Sequence, residues 1–248
     1  MQLRRSFPVT PYRSVRPTSS KLIFISCEGV VTEEKYFKIL SETIFNDIKS
    51  KIHIISVRED FLNKPTHEKT KEEIDEHNRS NPQAVLKRMI YFKEEKEPLY
   101  EFDKHPEDEF WLLIDVDDHT DEHHIKEFKK VIKACEAKEN KFRLAVTNPF
   151  FEFWLYLHHC EVEAEDEAQA NTVGNSYFRN KMRDKAGVTL GRKKYPLEKD
   201  YTHEKVIAAI RRAEQLHIDK TEKYPNTLGS HVYLLLEELV KLEQEKRG

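Results

Sequence analysis

Cysteine is scarce in this chain. Cys27, Cys135 and Cys160 are scattered and odd in number. They make neither a disulfide framework nor a closely spaced zinc pair, and such usage suits a reducing cytoplasm. No apolar stretch reaches the roughly 18 residues of a membrane span. A GxxxxGK[ST] loop is missing, so ATP is not held by that route and any energy source lies in a partner. The Gly-x-Ser-x-Gly elbow of one large hydrolase class is missing too. A cysteine protease built on Cys27 needs a histidine beside it in space, which the sequence does not show. Charge of one sign is not in excess either. The net charge of -3 argues against general coating of a polyanion, but leaves local basic patches open.

What the chain does have is charge of both signs. Charged residues make up 35% of the 248 and hydrophobic residues 38%, enough for one domain with a long extension or for two small ones, under a strongly solvated surface. Residues 1–20 carry four arginines and three prolines with no apolar run behind them. This is not the pattern of a secretory signal. It reads as a flexible basic arm, either a plain terminus or a contact for nucleic acid or a partner.

Strand-like and helix-like patterns then alternate. Leu22–Ser26 is an apolar run, and Thr32–Asn46 places Tyr36, Phe37, Leu40 and Ile44 at helical spacing. Lys51–Val57 reads as a second strand, 58–80 as a long polar loop, and Pro82 opens a helix to about Glu95. Phe110–Asp115 is a third strand. Asp121–Lys138 is an amphipathic helix with Ile125, Phe128, Val131 and Ile132 inward, and Phe142–Thr147 is a fourth strand. Asn148-Pro149 is expected to cap and open the aromatic helix FFEFWLYLHH. This order predicts an α/β domain with an open parallel sheet over 21–160. The run EVEAEDEA, with five acids, is a candidate linker opening a helical C-terminal part over 161–248. Thr202–Ile218 and Thr227–Glu245 are its clearest helices. The leucine face of the latter either packs back on the sheet, which is preferred, or forms a homodimer.

Two of these strands end on carboxylates: Glu28 after the first, Asp115 and Asp117 after the third. In an open parallel sheet, ligands sit at the carboxyl ends of the strands. Three carboxylates meeting there repel one another unless a cation joins them. A hard divalent ion, Mg²⁺ with Mn²⁺ as a substitute, resolves this and can polarise a phosphodiester. The plainer alternatives are a helix-capping glutamate and an acidic loop. A zinc site on His119, His123 and His124 lacks standard spacing.

The segments CEGVVTEEKYF, LLIDVDD, NPFFEFWLYLHH and NTLGSHVYLLLEEL together resemble the RloB-like family of Toprim-domain proteins, over about Lys21 to Leu242. The resemblance implies a Toprim-like sheet. It implies metal binding by Asp115 and Asp117 and acid/base or metal duty for Glu28. It further implies a prokaryotic antiviral (abortive infection) role beside a partner ATPase. The family's Thr-Glu pair points to Glu33 as a further metal-site acid, the alternative being an acid that stabilises the first turn of its helix.

Glu152 starts a helix on the same edge and is a candidate proton carrier or second-metal ligand, against a polar stripe on a core helix. Arg179–Lys205 holds nine Lys or Arg against four acids, densest at Arg192, Lys193 and Lys194. That segment is either a phosphate-backbone grip or a solvated face. The leading expectation is a Mg²⁺-dependent nuclease acting on DNA or RNA, tRNA included. Its rival is a non-catalytic regulatory subunit that binds a partner ATPase or a nucleotide signal. A topoisomerase or primase lacks room for its further machinery.

Overall fold

The computed structural model describes residues 21–29, 31–56, 81–116, 122–137, 141–174, 176–190 and 196–247. The arm 1–20 lies outside them, as do Asp117, His119, Arg192, Lys193 and Lys194. The side chains of His123 and His124 are not described either.

The apolar runs form one sheet: β1 Ile23–Cys27, β2 Ile52–Ile55, β3 Glu109–Asp115, β4 Phe142–Asn148 and β5 Gly229–Ser230. Its order is β2-β1-β3-β4-β5. The first four strands are parallel, and β5 runs antiparallel to β4. The expected sheet is therefore present, with an antiparallel edge added. Two residues, Gly-Ser, carry no periodicity from which β5 could have been read.

Successive side chains on a strand point to opposite faces. Ile23, Ile25, Trp111 and Leu113 join one core cluster, while Phe24, Phe110, Leu112 and Ile114 join another. Helices cover both faces, which is why these strands read as continuous apolar runs. One layer contains α2 (Pro82–Tyr100) and α3 (Glu122–Glu136). Asn81 caps α2 by accepting a hydrogen bond from the Ala84 N–H at 2.8 Å, with Pro82 in the first turn. The helix passes the expected end at Glu95. Tyr100 stacks on Phe102 at 5.4 Å and meets Phe24 edge-on at 5.4 Å, so ring packing holds the last turn despite Pro98.

The other layer contains α1 (Thr32–Thr43), α4 (Phe151–Tyr156), α5 (Asp166–Val173), α6 (Ser176–Ala186), α7 (His203–Leu216) and α8 (Val232–Arg247). The chain after α1 tightens into a 3-10 turn, Asn46–Lys51, which buries Phe45 and Ile48. Val232, Leu235, Leu239 and Leu242 of α8 pack into the same cluster as β1 and β3. Asn148 is not the cap of the aromatic helix. It ends β4, its Nδ2 donates to the Pro225 carbonyl at 3.0 Å, and Phe150 takes the cap position. Among the described residues no helix is long and apolar enough to cross a membrane.

His158 gives this layer a pH dependence. Its Nδ1 lies 3.0 Å from the Trp154 carbonyl and its Nε2 lies 2.9 Å from the Tyr36 hydroxyl. A carbonyl only accepts, so Nδ1 carries the proton and Nε2 accepts from Tyr36 in the neutral ring. Burial, and then the neighbouring His159, push His158 down to about 3 from 6.5. Burial likewise pushes His159 and His231 to about 4. Such groups bind fewer protons when folded than when unfolded. Their contribution is fully present above about pH 6.5 and is lost as the pH falls below it. Urea melts should show unfolding free energy falling from pH 6.5 to 5, by up to about 1.4 kcal/mol per pH unit for each group. His158→Gln should reduce the slope by about one proton. A slope that His158→Gln leaves unchanged contradicts the neutral-ring assignment.

Candidate active site at the strand ends

Glu28 leaves β1 at its carboxyl end. Its N–H donates to the Leu113 carbonyl at 3.0 Å, which extends the β1–β3 pairing by one residue. The side chain is 5% exposed, and Oε2 accepts a hydrogen bond from the Asp115 N–H at 3.1 Å. Asp115 closes β3 and is half-buried, and its Oδ2 accepts from the Phe151 N–H at 3.0 Å. Phe151 opens α4 directly after β4. Two carboxylates thus tie three strand ends together through backbone donors, which form strong charge-assisted bonds. The structure brings Glu28 and Asp115 into contact although 87 residues separate them.

Glu33 and Glu152 border this pair. Glu33 turns back from the first turn of α1 so that its carboxylate lies over Gly29, where a Cβ would overlap it. Burial drives the Glu33 carboxyl up to about 7. The Glu33 and Gly29 backbone N–H groups pull it down, and the Glu152 and Glu34 carboxylates add to the rise. Glu152 is 8% exposed, and its Oε1 lies 3.5 Å from Arg179 Nη1 on α6. Glu34, next to Glu33 in α1, is half-buried and accepts from Ser56 Oγ at 2.8 Å.

Arg88 of α2 was not singled out in the sequence. It is 4% exposed, and its Nη2 donates to the Cys27 carbonyl, the peptide just before Glu28. Its signal was legible: helical spacing from Val85 and Met89, both fully buried, puts position 88 on the apolar face. A cation there needs a buried partner. Arg179 belongs to the segment expected to grip phosphate, and its pairing with Glu152 had no local signature. Cys27 is wholly buried in β1, where burial, followed by the Glu33 and Glu34 charges, pushes its thiol well above the ordinary range. That removes it as a thiolate nucleophile.

Among the described residues no three His, Cys, Asp or Glu side chains converge closely enough to hold a metal by themselves. Glu28 and Asp115 offer hard carboxylate oxygens. Mg²⁺ takes one or two carboxylates and keeps several waters. The donors present fit that ion in kind and in number, and they do not fit the nitrogen and sulfur preference of zinc.

A family model described as RloB-like protein matches residues 23–239. Neither a curated protein nor a solved structure matches the chain.

Proposed function

Since this chain belongs to the RloB-like family, we propose that it is a Mg²⁺-dependent, Toprim-type nuclease of prokaryotic antiviral defence that hydrolyses a phosphodiester in DNA or RNA. One observation carries the reading: the Glu28 carboxylate and the Asp115 strand end meet at 3.1 Å on the ligand-binding edge of a parallel sheet.

Glu28, Asp115 and Asp117 would hold the ion, with Glu33 beside them. When bound, it supplies charge neutralisation, polarisation of the phosphodiester and stabilisation of the leaving oxygen. The chain's own residues set the stage for this. The Asp115 and Phe151 N–H groups fix the carboxylates in place. Arg88 anchors the peptide that presents Glu28, and Arg179 holds Glu152 at the rim, where a buried carboxylate can receive or return a proton. Arg192, Lys193 and Lys194 would hold the nucleic-acid backbone.

A second reading is a non-catalytic regulatory subunit that binds the ATPase of a defence complex. The high charge of the chain, 35% of its residues, and its helical C-terminal part suit it. One assay separates the two. The full chain is incubated with Mg²⁺ or Mn²⁺ and with single- and double-stranded DNA, RNA and tRNA, alongside an Asp115→Ala/Asp117→Ala double variant. The nuclease reading expects cleavage that falls about a thousandfold in the variant, the scale of several kcal/mol of metal catalysis. Unchanged cleavage rejects the site. A wild-type chain that cleaves nothing, with or without a co-expressed ATPase, supports the regulatory reading.

A further inference from the structure

At the opposite end of β4, β5 leaves part of the strand uncovered. It pairs only with Thr147 and Asn148, and the His231 N–H then donates to the Val146 carbonyl at 2.7 Å before α8 turns away. The peptide groups of a strand alternate sides. Val146 faces β5, while the Thr147 carbonyl faces β3 and accepts from the Val116 N–H at 2.9 Å. Leu144 and Phe142 therefore present their N–H and C=O groups on the β5 side. No strand pairs with them there among the described residues.

This open edge is the floor of a cavity of about 450 Å³ between α3 and α8. One wall holds Ile132 and Cys135, the floor Leu144, and the other wall Leu234, all half-exposed apolar side chains. Ion pairs cross at its borders. Lys223 reaches Glu136, and Arg143 lies 3.1 Å from Glu109 and 3.9 Å from Glu238. Glu237 lines the α8 wall, exposed and with no ion pair among the described residues. Burial first, and then the nearby Glu214 carboxylate, raise its pKa, while Lys220 lowers it.

We propose that this groove is a docking site for an extended peptide of a partner protein, which adds a strand to the open edge of β4. An added strand would bond to Phe142 and Leu144 through its backbone and direct its side chains alternately to the two walls. The α3 wall takes apolar side chains. The α8 wall takes a lysine or arginine against Glu237. The partner segment is therefore short, extended and alternates apolar with basic residues. The site is remote from the strand-end carboxylates and does not depend on what they catalyse.

The test pans a random nine-residue peptide library on the full chain and measures the enriched peptide by fluorescence anisotropy. The expected peptides alternate apolar and basic residues. Methylating the backbone nitrogens that face β4 should abolish binding, and Glu237→Lys should weaken it at least tenfold. Asp115→Ala should leave it unchanged, so this result stands or falls apart from the nuclease assay. Leu234→Arg fills the groove from a half-exposed position and should also abolish binding, with the unfolding midpoint confirming an intact fold. The proposal is overturned if no alternating sequence is enriched, or if binding ignores N-methylation and Glu237→Lys. It is equally overturned if light scattering finds a dimer that Leu234→Arg dissociates, which would assign the groove to a second copy of this chain.

Discussion

Glu28→Gln is expected to lower phosphodiester cleavage about a hundredfold or more while leaving the fold intact, the scale on which a placed charge or donor acts at a reacting centre. The amide keeps an oxygen where Oε2 accepts from the Asp115 N–H, so the link between β1 and β3 survives. Only the negative charge is removed, from a position 5% exposed. The nearby carboxylates of Asp115 and Glu33 lose a repelling neighbour, so the urea midpoint should hold or rise. Glu28→Leu is the contrasting case. It leaves the buried Asp115 N–H without its acceptor and should cost about 1–3 kcal/mol of stability as well. Cleavage by Glu28→Gln within about threefold of wild type, far short of the loss expected for such a charge, would remove Glu28 from the chemistry.

Asp166→Ala is expected to cost about 3–5 kcal/mol of folding free energy, the range found when one partner of a buried ion pair is deleted. Asp166 is wholly buried at the start of α5. Its Oδ2 accepts from the Glu163 N–H at 2.8 Å and the Tyr156 hydroxyl at 3.3 Å. Its Oδ1 accepts from the Tyr177 hydroxyl at 2.7 Å and pairs with Lys181. One carboxylate therefore ties α4, α5 and α6 together. Without it, the Lys181 ammonium, on a side chain 9% exposed, keeps Glu163 at 2.8 Å and the Tyr177 hydroxyl at 3.3 Å but loses its one fully buried counter-charge. Calorimetry should find the melting temperature lower by about 10 °C for a chain of this size. Lys181→Met in the Asp166→Ala background should recover part of the loss, because it removes the stranded charge. Additive losses in the double variant would show that the pair is not coupled.

Both residues show where the sequence was legible. Glu28 stands out because a carboxylate ends an apolar run, an expensive placement with a local signature. Asp166 sits among five acids in EVEAEDEA, a run that reads as a spacer. Its partners Tyr156, Tyr177 and Lys181 come from two other helices, and no periodicity links them. Arg88 is intermediate. Its place on an apolar face is visible, but the carbonyl it serves lies 61 residues earlier. Asn148 misleads because Asn-Pro before an aromatic run has the local form of a helix start. Its side chain instead bonds Pro225, 77 residues on.

Sequence alone determined the parallel sheet, its two-sided burial and the strand ends on which Glu28 and Asp115 sit. These follow from continuous apolar runs of strand length and from a period of about 3.6 residues in the helices, which any short window carries. Only the tertiary structure decided that Glu33 folds back over Gly29, that Arg179 answers Glu152, that Asp166 is a hub, and that β5 covers just one end of β4. Those outcomes rest on hydrogen bonds, ion pairs and edge exposure between segments far apart in the chain. Their energies depend on distance and burial in space, which no local pattern encodes.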